Sequence, residues 1–292
     1  LAQMMKERFE AESNSNVLFV TAQCSNRCIM CCEPPKTEND LEFCLRRNVR
    51  LIETAPKDTR EVCVTGGEPT ISRGMFLELI RKISSSLPET SIHVLSNGRS
   101  FKDADFTRST AEAGGGRLIM GIPLHSDFYG DHDFIAGAKG AWRDTMWGLY
   151  SLQENGIPIE LRIVINRQNC RRLRRMADFI YKTLPFVSWV ALMAMEDTGW
   201  ARKNHDLVWA EPQDFMEELC GAADILDGFG IGTAFYNIPL CLIPENYRRF
   251  ASKSISDWKT RFTDACSGCS MKDGCCGLFA TSKAEFRGIR AL

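Results

Sequence analysis

The chain has 292 residues, 44% of them hydrophobic and 25% charged, which is the balance of an ordinary globular protein able to bury a sizeable core. A formal charge of −1 excludes a broad electrostatic footprint for nucleic acid or an anionic membrane, and no apolar run has the length of a membrane span or the pattern of a secretory signal. Thirteen cysteines, odd in number and clustered, argue against a secreted disulfide scaffold and for thiolate ligation in a reducing compartment, so a cytoplasmic location is expected.

A polar leader over residues 1–16 precedes the first predicted strand, Val17–Ala22, and a cysteine-rich loop follows it. Asp40 is placed to cap a helix running to about Thr54, with Leu41, Leu45, Val49 and Ile52 inward. Glu61–Thr65 reads as a second strand ending in Gly66-Gly67. Phe76, Leu79, Ile80, Ile83 and Leu87 then recur at helical spacing up to Pro88. Ser91–Leu95 is the third strand, closed by Asn97-Gly98. A helix over Lys102–Ala113 and a fourth strand over Arg117–Ile122 come next. A polar loop from His125 to Lys139 leads to a helix marked by Trp142, Met146 and Leu149. Strands at Ile159–Ile165 and Val187–Met193 flank a helix carrying Leu173, Met176 and Ile180. A helix over Pro212–Leu226 precedes a last strand at Ile231–Tyr236. This alternation predicts a parallel sheet with helices outside, and in such folds functional residues gather at the C-terminal ends of strands. The predicted domains are the leader (1–16), a unit of alternating strands and helices (17–236) and a cysteine-rich extension (237–292).

Three clusters carry chemistry. Cys24, Cys28 and Cys31 stand on the loop leaving the first strand, and thiolates are soft ligands for iron–sulfur clusters and zinc. Gly66-Gly67-Glu68-Pro69 is a turn at the end of the second strand, where glycine permits close or left-handed backbone. A second thiol set comprises Cys241, Cys266-x2-Cys269 and Cys275-Cys276, a ligand pattern for zinc or iron–sulfur; unliganded cysteines in a loop-rich tail are its bland alternative. His125, Ser126, Asp127 and Tyr129 follow the fourth strand and are substrate-site candidates, although a lone histidine is more often structural. Arg162 sits in an apolar strand and needs an anionic partner, either a ligand carboxylate or Glu160 on the same face. Arg167, Arg171, Arg172, Arg174 and Arg175 form a basic run, but the apolar residues threaded through it place most of them on a solvated helix face. Cys44, Cys63, Cys170 and Cys220 are expected to be ordinary buried or partly buried thiols.

The C-x3-C-x2-C loop after one strand, with Gly-Gly-Glu-Pro after the next, resembles the radical S-adenosylmethionine (AdoMet) superfamily. The resemblance implies an α/β fold, a partial (β/α)6 TIM-like barrel with a small cysteine-rich C-terminal extension. It implies a [4Fe–4S] cluster on Cys24, Cys28 and Cys31 whose open iron binds AdoMet, and reductive cleavage to a 5′-deoxyadenosyl radical. Gly66, Gly67, Glu68 and Pro69, with Ser96, Asn97 and Arg162, are then the AdoMet-binding candidates. Met30 stands where many members have an aromatic residue. Cys275-x-Gly277-Leu-Phe279 resembles the last ligand of the auxiliary-cluster extensions of peptide-modifying members. That resemblance implies Cys241, Cys266, Cys269 and Cys275 as the ligands of a second [4Fe–4S] cluster, with zinc as the alternative.

Ile122-Pro-Leu-His-Ser126, Arg162-Ile-Val-Ile165 with Asn169, Ala194-Met-Glu196 with Gly199, Tyr236-Asn-Ile-Pro-Leu-Cys241 and Ser254-Ile-Ser-Asp-Trp-Lys259 resemble the maturases of His-Xaa-Ser peptide systems. The expected substrate is therefore a ribosomal precursor peptide that is cross-linked or oxidised. The expected partners are a reductant such as flavodoxin or ferredoxin and a partner maturase or leader-binding protein. Two rivals remain: a radical AdoMet enzyme acting on RNA or a small metabolite, and a non-enzymatic zinc-binding module.

Overall fold

The computed structural model describes residues 9–13 and 16–292, so most of the expected leader lies outside the described residues. In chain order the elements begin β1 (Val17–Phe19), α1 (Leu41–Glu53), β2 (Glu61–Thr65), α2 (Arg73–Ser86), β3 (Ser91–Leu95), α3 (Ala104–Gly114) and β4 (Leu118–Pro123). They continue α4 (Tyr129–Ala136), α5 (Ala141–Glu154), β5 (Ile159–Ile165), α6 (Leu173–Thr183), β6 (Trp189–Ala194), α7 (Gly199–Lys203), α8 (His205–Val208) and α9 (Pro212–Gly228). The last strands are β7 (Gly232–Tyr236), β8 (Ala251–Ser252), β9 (Thr260–Arg261) and β10 (Leu278–Phe279).

Strands β1 to β8 lie in one sheet in chain order, and the β1–β2, β2–β3, β3–β4, β6–β7 and β7–β8 pairings are parallel. β9 and β10 form a separate antiparallel ribbon. The α/β architecture of a partial barrel is therefore present. Its eighth strand, two residues long, comes from the region expected to be extension alone.

The chain divides into two compact units. The first comprises the described residues up to Arg27, Glu33–Pro123 and Ala138–Glu160. Its strands alternate as the sequence predicts, with Val62, Val64, Ile92 and Val94 wholly buried. Helix α2 buries Phe76, Leu79, Ile80 and Ile83, each such side chain contributing roughly 1.5–3 kcal/mol. The Phe76 ring meets Phe101 and Phe106 at centroid distances of 6.5 and 6.0 Å.

Helix α1 departs from expectation in two ways. It buries Cys44, Asn48, Leu51 and Ile52, while Leu41, Leu45 and Val49 are only half-buried. The polar Asn48 is tolerated inside because its Nδ2 donates to the Phe19 carbonyl at 2.9 Å, satisfying the end of β1. Asp40 precedes the helix but makes no side-chain cap. Its carboxylate instead accepts from the Thr21 hydroxyl and the Ala22 N–H, at 2.5 and 2.8 Å, and so fixes the start of α1 to the loop after β1.

The second unit comprises Cys28–Cys32, Leu124–Gly137 and Leu161–Leu292. Leu173, Met176 and Ile180 of α6 and Phe215, Leu219 and Leu226 of α9 are buried in it. The polar stretch expected to be a loop contains α4, and α7 and α8 add two short helices that the periodicity does not mark. No helix among the described residues is long and apolar enough to cross a membrane.

Candidate functional site

In the first unit the site is built on the turn after β2. The Gly67 N–H donates to the Thr21 carbonyl at 2.6 Å and the Glu68 N–H to that of Gln23 at 2.7 Å, which carries the β1–β2 pairing on into the cysteine loop. A Cβ on Gly66 would lie 2.6 Å from the Thr21 oxygen, and one on Gly67 would lie 2.3 Å from the Gln23 oxygen. Neither glycine has a positive φ, so close approach of two backbones is what these positions require.

Glu68 is 1% exposed, and Pro69 starts a 3-10 turn behind it. Its Oε1 accepts from the Thr70 N–H (3.0 Å), the Thr70 hydroxyl (2.6 Å) and the Ser96 hydroxyl (2.7 Å). Its Oε2 accepts from the Asn97 N–H at 2.7 Å. A carboxylate offers about four lone-pair directions, so Oε1 is saturated and Oε2 retains room for one more donor. Asn97 then joins the end of β3 to the cysteine loop. Its Nδ2 donates to Ser25 Oγ at 2.9 Å and lies 4.0 Å from Cys24 Sγ, while its Oδ1 accepts from the Arg99 N–H at 3.0 Å. Cys24 Sγ accepts from the Asn26 N–H at 3.3 Å. Burial pushes the Cys24 thiol up against that hydrogen bond, and the Glu68 charge adds to the rise. A bound cation would reverse this and deprotonate the thiol.

In the second unit, Cys28 Sγ lies 3.9 Å from His125 Nε2. The loop around it is fastened by backbone: Ile29 N–H donates to the Ile135 carbonyl at 2.9 Å, and Trp200 N–H to that of Cys31 at 2.8 Å. His125 is 2% exposed. Its N–H donates to His132 Nδ1 at 3.2 Å, and its carbonyl accepts from Asn169 Nδ2 at 3.0 Å. Burial, with the charge of His132 acting in the same direction, holds the imidazole well below its usual pKa.

The other candidates after β4 have distinct situations. The Ser126 hydroxyl accepts from the Phe128 N–H at 3.1 Å. Asp127 accepts two hydrogen bonds from Arg172, from Nε at 3.0 Å and from the terminal nitrogen at 2.8 Å. Tyr129 is 61% exposed at the start of α4. Arg162 has its guanidinium 5.9 Å from the centroid of the Tyr236 ring. Arg171, Arg174 and Arg175 of the basic run are exposed, as expected; Arg172 is the exception that sequence reasoning missed, because helical spacing gives a face and not a partner.

Of the C-terminal thiols, Cys241, Cys266, Cys269 and Cys275 line one small pocket in the second unit, and Cys276 does not. Cys275 Sγ accepts from the Leu240 and Gly277 N–H groups, both at 3.4 Å, and Cys269 Sγ from the Leu292 N–H at 3.5 Å. A hydrogen bond from Cys276 pulls the Cys275 thiol down to about 6, with the Gly277 and Leu240 amides helping against burial, while Cys276 is driven up. Among the described residues, no three His, Cys, Asp or Glu side chains converge closely enough to grip a single metal ion. By contrast, burial pushes the Cys44 and Cys220 thiols up to about 11, as suits ordinary packed thiols.

Residues 18–180, more than half of the chain, match the family described as the radical SAM superfamily. The chain is 26% identical over 164 residues to the Fe-coproporphyrin III synthase of Methanosarcina barkeri, covering 55% of this chain and 39% of that protein. It is 25% identical over 156 residues to the sporulation killing factor maturation protein SkfB of Bacillus subtilis, covering 53% and 36%. Among solved structures it resembles Streptococcus suis SuiB bound to S-adenosylmethionine, with a TM-score of 0.57 and 15% identity over 75% of this chain and 49% of SuiB. SuiB bound to its precursor peptide SuiA gives a TM-score of 0.56 at 14% identity, over 75% and 47%. The structural likeness concerns the fold. The chain spans less than half the length of each of these proteins.

Proposed function

The chain belongs to the radical SAM superfamily, and we propose that it is a maturase of a ribosomally made peptide, of the His-Xaa-Ser system type, working in a reducing cytoplasm. Membership implies a [4Fe–4S] cluster and AdoMet, and the donor set fits: three thiols on the loop after β1, with a glycine turn after β2 that has no space for side chains. When bound, the cluster supplies the electron that cleaves the AdoMet sulfonium and so opens the way to hydrogen abstraction from substrate.

Cys24, Cys28 and Cys31 hold that cluster in this reading. Gly66, Gly67 and Pro69 shape the AdoMet seat, and the remaining lone pair of Glu68 Oε2 faces its ammonium. Ser96 and Asn97 present the end of β3 to the ribose or carboxylate, and Arg162 offers a cation to the carboxylate. His125, Ser126, Asp127 and Tyr129 belong to the substrate side, with Tyr129 the exposed member able to touch a peptide. The observation that carries the maturase reading is that Cys241, Cys266, Cys269 and Cys275 all line one pocket. It supports an auxiliary [4Fe–4S] cluster, able to take the electron left after bond formation or to bind the peptide. The precursor peptide, a flavodoxin- or ferredoxin-like reductant and a partner maturase or leader-binding protein complete the system. The maturation role in SkfB's name and the peptide bound to SuiB support the same class.

A small-metabolite reading is favoured by the likeness to Fe-coproporphyrin III synthase. The deciding experiment is 5′-deoxyadenosine formation by the anaerobically reconstituted, reduced protein, with peptides encoded beside its gene or with a porphyrin. Stimulation by a peptide, together with a mass change in it, is expected. Stimulation by the porphyrin alone overturns the maturase reading, and a zinc-only protein with no AdoMet cleavage overturns both.

A further inference from the structure

We propose that His125 is a positioning residue for Cys28, donating its Nε2–H to the sulfur and thereby raising the reduction potential of the cluster that the thiolate holds. The inference rests on the assignment of Cys28 as a cluster ligand. It concerns what the ring does toward that ligand, which the family resemblance does not specify.

Three observations carry it. First, Nε2 is the ring nitrogen that faces Cys28 Sγ, at 3.9 Å, within reach of an N–H to a sulfur acceptor. Second, the main chain of His125 is held on both sides, its N–H by His132 Nδ1 at 3.2 Å and its carbonyl by Asn169 Nδ2 at 3.0 Å, so the ring's approach is fixed by the fold. Third, Nδ1 is buried and has no hydrogen-bond partner. A neutral imidazole carries one N–H. On Nδ1, that proton would be a stranded donor inside the protein while a lone pair faced the thiolate. On Nε2, the donor meets the anion and only an acceptor is left bare, the less unfavourable of the two arrangements. The tautomer that satisfies the site is therefore Nε2–H.

Hydrogen bonds to cluster sulfurs are among the determinants of potential, and a donor aimed at a thiolate stabilises the more negative, reduced cluster more than the oxidised one. His125 would thus ease reduction by the electron donor without touching AdoMet or substrate. Asn169, 44 residues along the chain, takes part only by anchoring the His125 carbonyl.

The test is the midpoint potential of the cluster whose signal is lost in the Cys24→Ala/Cys28→Ala/Cys31→Ala variant, by redox titration monitored by electron paramagnetic resonance, in protein without AdoMet or substrate. The samples are wild type, His125→Phe, His125→Asn and His125→Gln, each with its iron content measured. Glutamine places an amide N–H near the position of Nε2, whereas asparagine and phenylalanine do not. The expected result is a more negative midpoint for the Phe and Asn variants and a return toward wild type for Gln. If His125→Phe takes up no iron, the Asn and Gln pair decides alone. Fully loaded Asn and Phe variants with the wild-type midpoint overturn the proposal while leaving the cluster assignment standing. Wild-type protein with no four-iron cluster that depends on Cys24, Cys28 and Cys31 overturns both.

Discussion

Gly67 has no room for a methyl group, because the backbone of Gln23 passes where a Cβ would be built, at 2.3 Å from the carbonyl oxygen. Gly67→Ala must displace the cysteine loop, and an overpacking cost of about 1–3 kcal/mol is expected. Gly74 is the contrast: it lies in α2 with nothing within 4 Å of an added Cβ, so Gly74→Ala should stabilise by about 0.5–1 kcal/mol through helix propensity. Urea denaturation of the two variants before cluster loading checks the opposite signs. Equal effects would show that the close approach at the turn does not matter. The sequence makes the glycine pair legible as a turn, yet not its reason, since the partner carbonyl belongs to another loop. Glu68 is similar. Its donors Ser96 and Asn97 stand 28 and 29 positions away, and only the parallel β2–β3 pairing brings them to the carboxylate.

At the scale of elements, the segment after β3 is held to the start of α5. Asp144 on α5 accepts from Arg99 at 3.2 Å and pairs with Lys102 at 3.0 Å, and the Thr145 hydroxyl donates to the Asn97 carbonyl at 3.0 Å. Burial works to raise the Asp144 pKa, but the hydrogen bonds and charges of Lys102 and Arg99 outweigh it and leave the carboxyl below its ordinary 3.8. A group with a depressed folded pKa contributes stability that is present above its unfolded pKa and is lost as pH falls through the folded one. Asp144→Asn should therefore cost about 2 kcal/mol at pH 7, for hydrogen bonds to a charged group, and the difference from wild type should shrink below about pH 4. Denaturant midpoints of both proteins across that range test this, and a pH-independent difference would sink it. The strands were readable because alternation and β-branched residues report a half-buried pleat directly. Helix α4 was not, since its eight residues include Gly130, Asp131 and Asp133. It is helical through the burial of His132, Ile135 and Ala136, which no local pattern announces.

For the whole molecule, the candidate ligand thiols fall into two sets that the sequence already separates by more than 200 residues, and the structure gives each set a different setting. The first stands on one loop after β1, with Cys24 in the first unit and Cys28 and Cys31 in the second. In the second set, Cys241, Cys266, Cys269 and Cys275 line one pocket within the second unit and draw N–H groups from Leu240, Gly277 and Leu292. Such amides stabilise thiolates, the form in which these sulfurs would bind either an iron–sulfur cluster or zinc. If two four-iron clusters are present, wild-type protein reconstituted anaerobically should hold about eight irons. A Cys266→Ala/Cys269→Ala variant should fall to about four while keeping AdoMet cleavage under strong reductant, because its radical-forming loop is intact. The Cys24→Ala/Cys28→Ala/Cys31→Ala variant should also hold about four but cleave no AdoMet. Cys276→Ala should keep the full iron count, since that thiol does not line the cavity. About four irons in wild type, with zinc retained after loss of the first three cysteines, would make the tail a structural staple. The peptide would then have to be recognised without a second cluster, and the weight of the maturase reading would shift to the exposed residues around Tyr129.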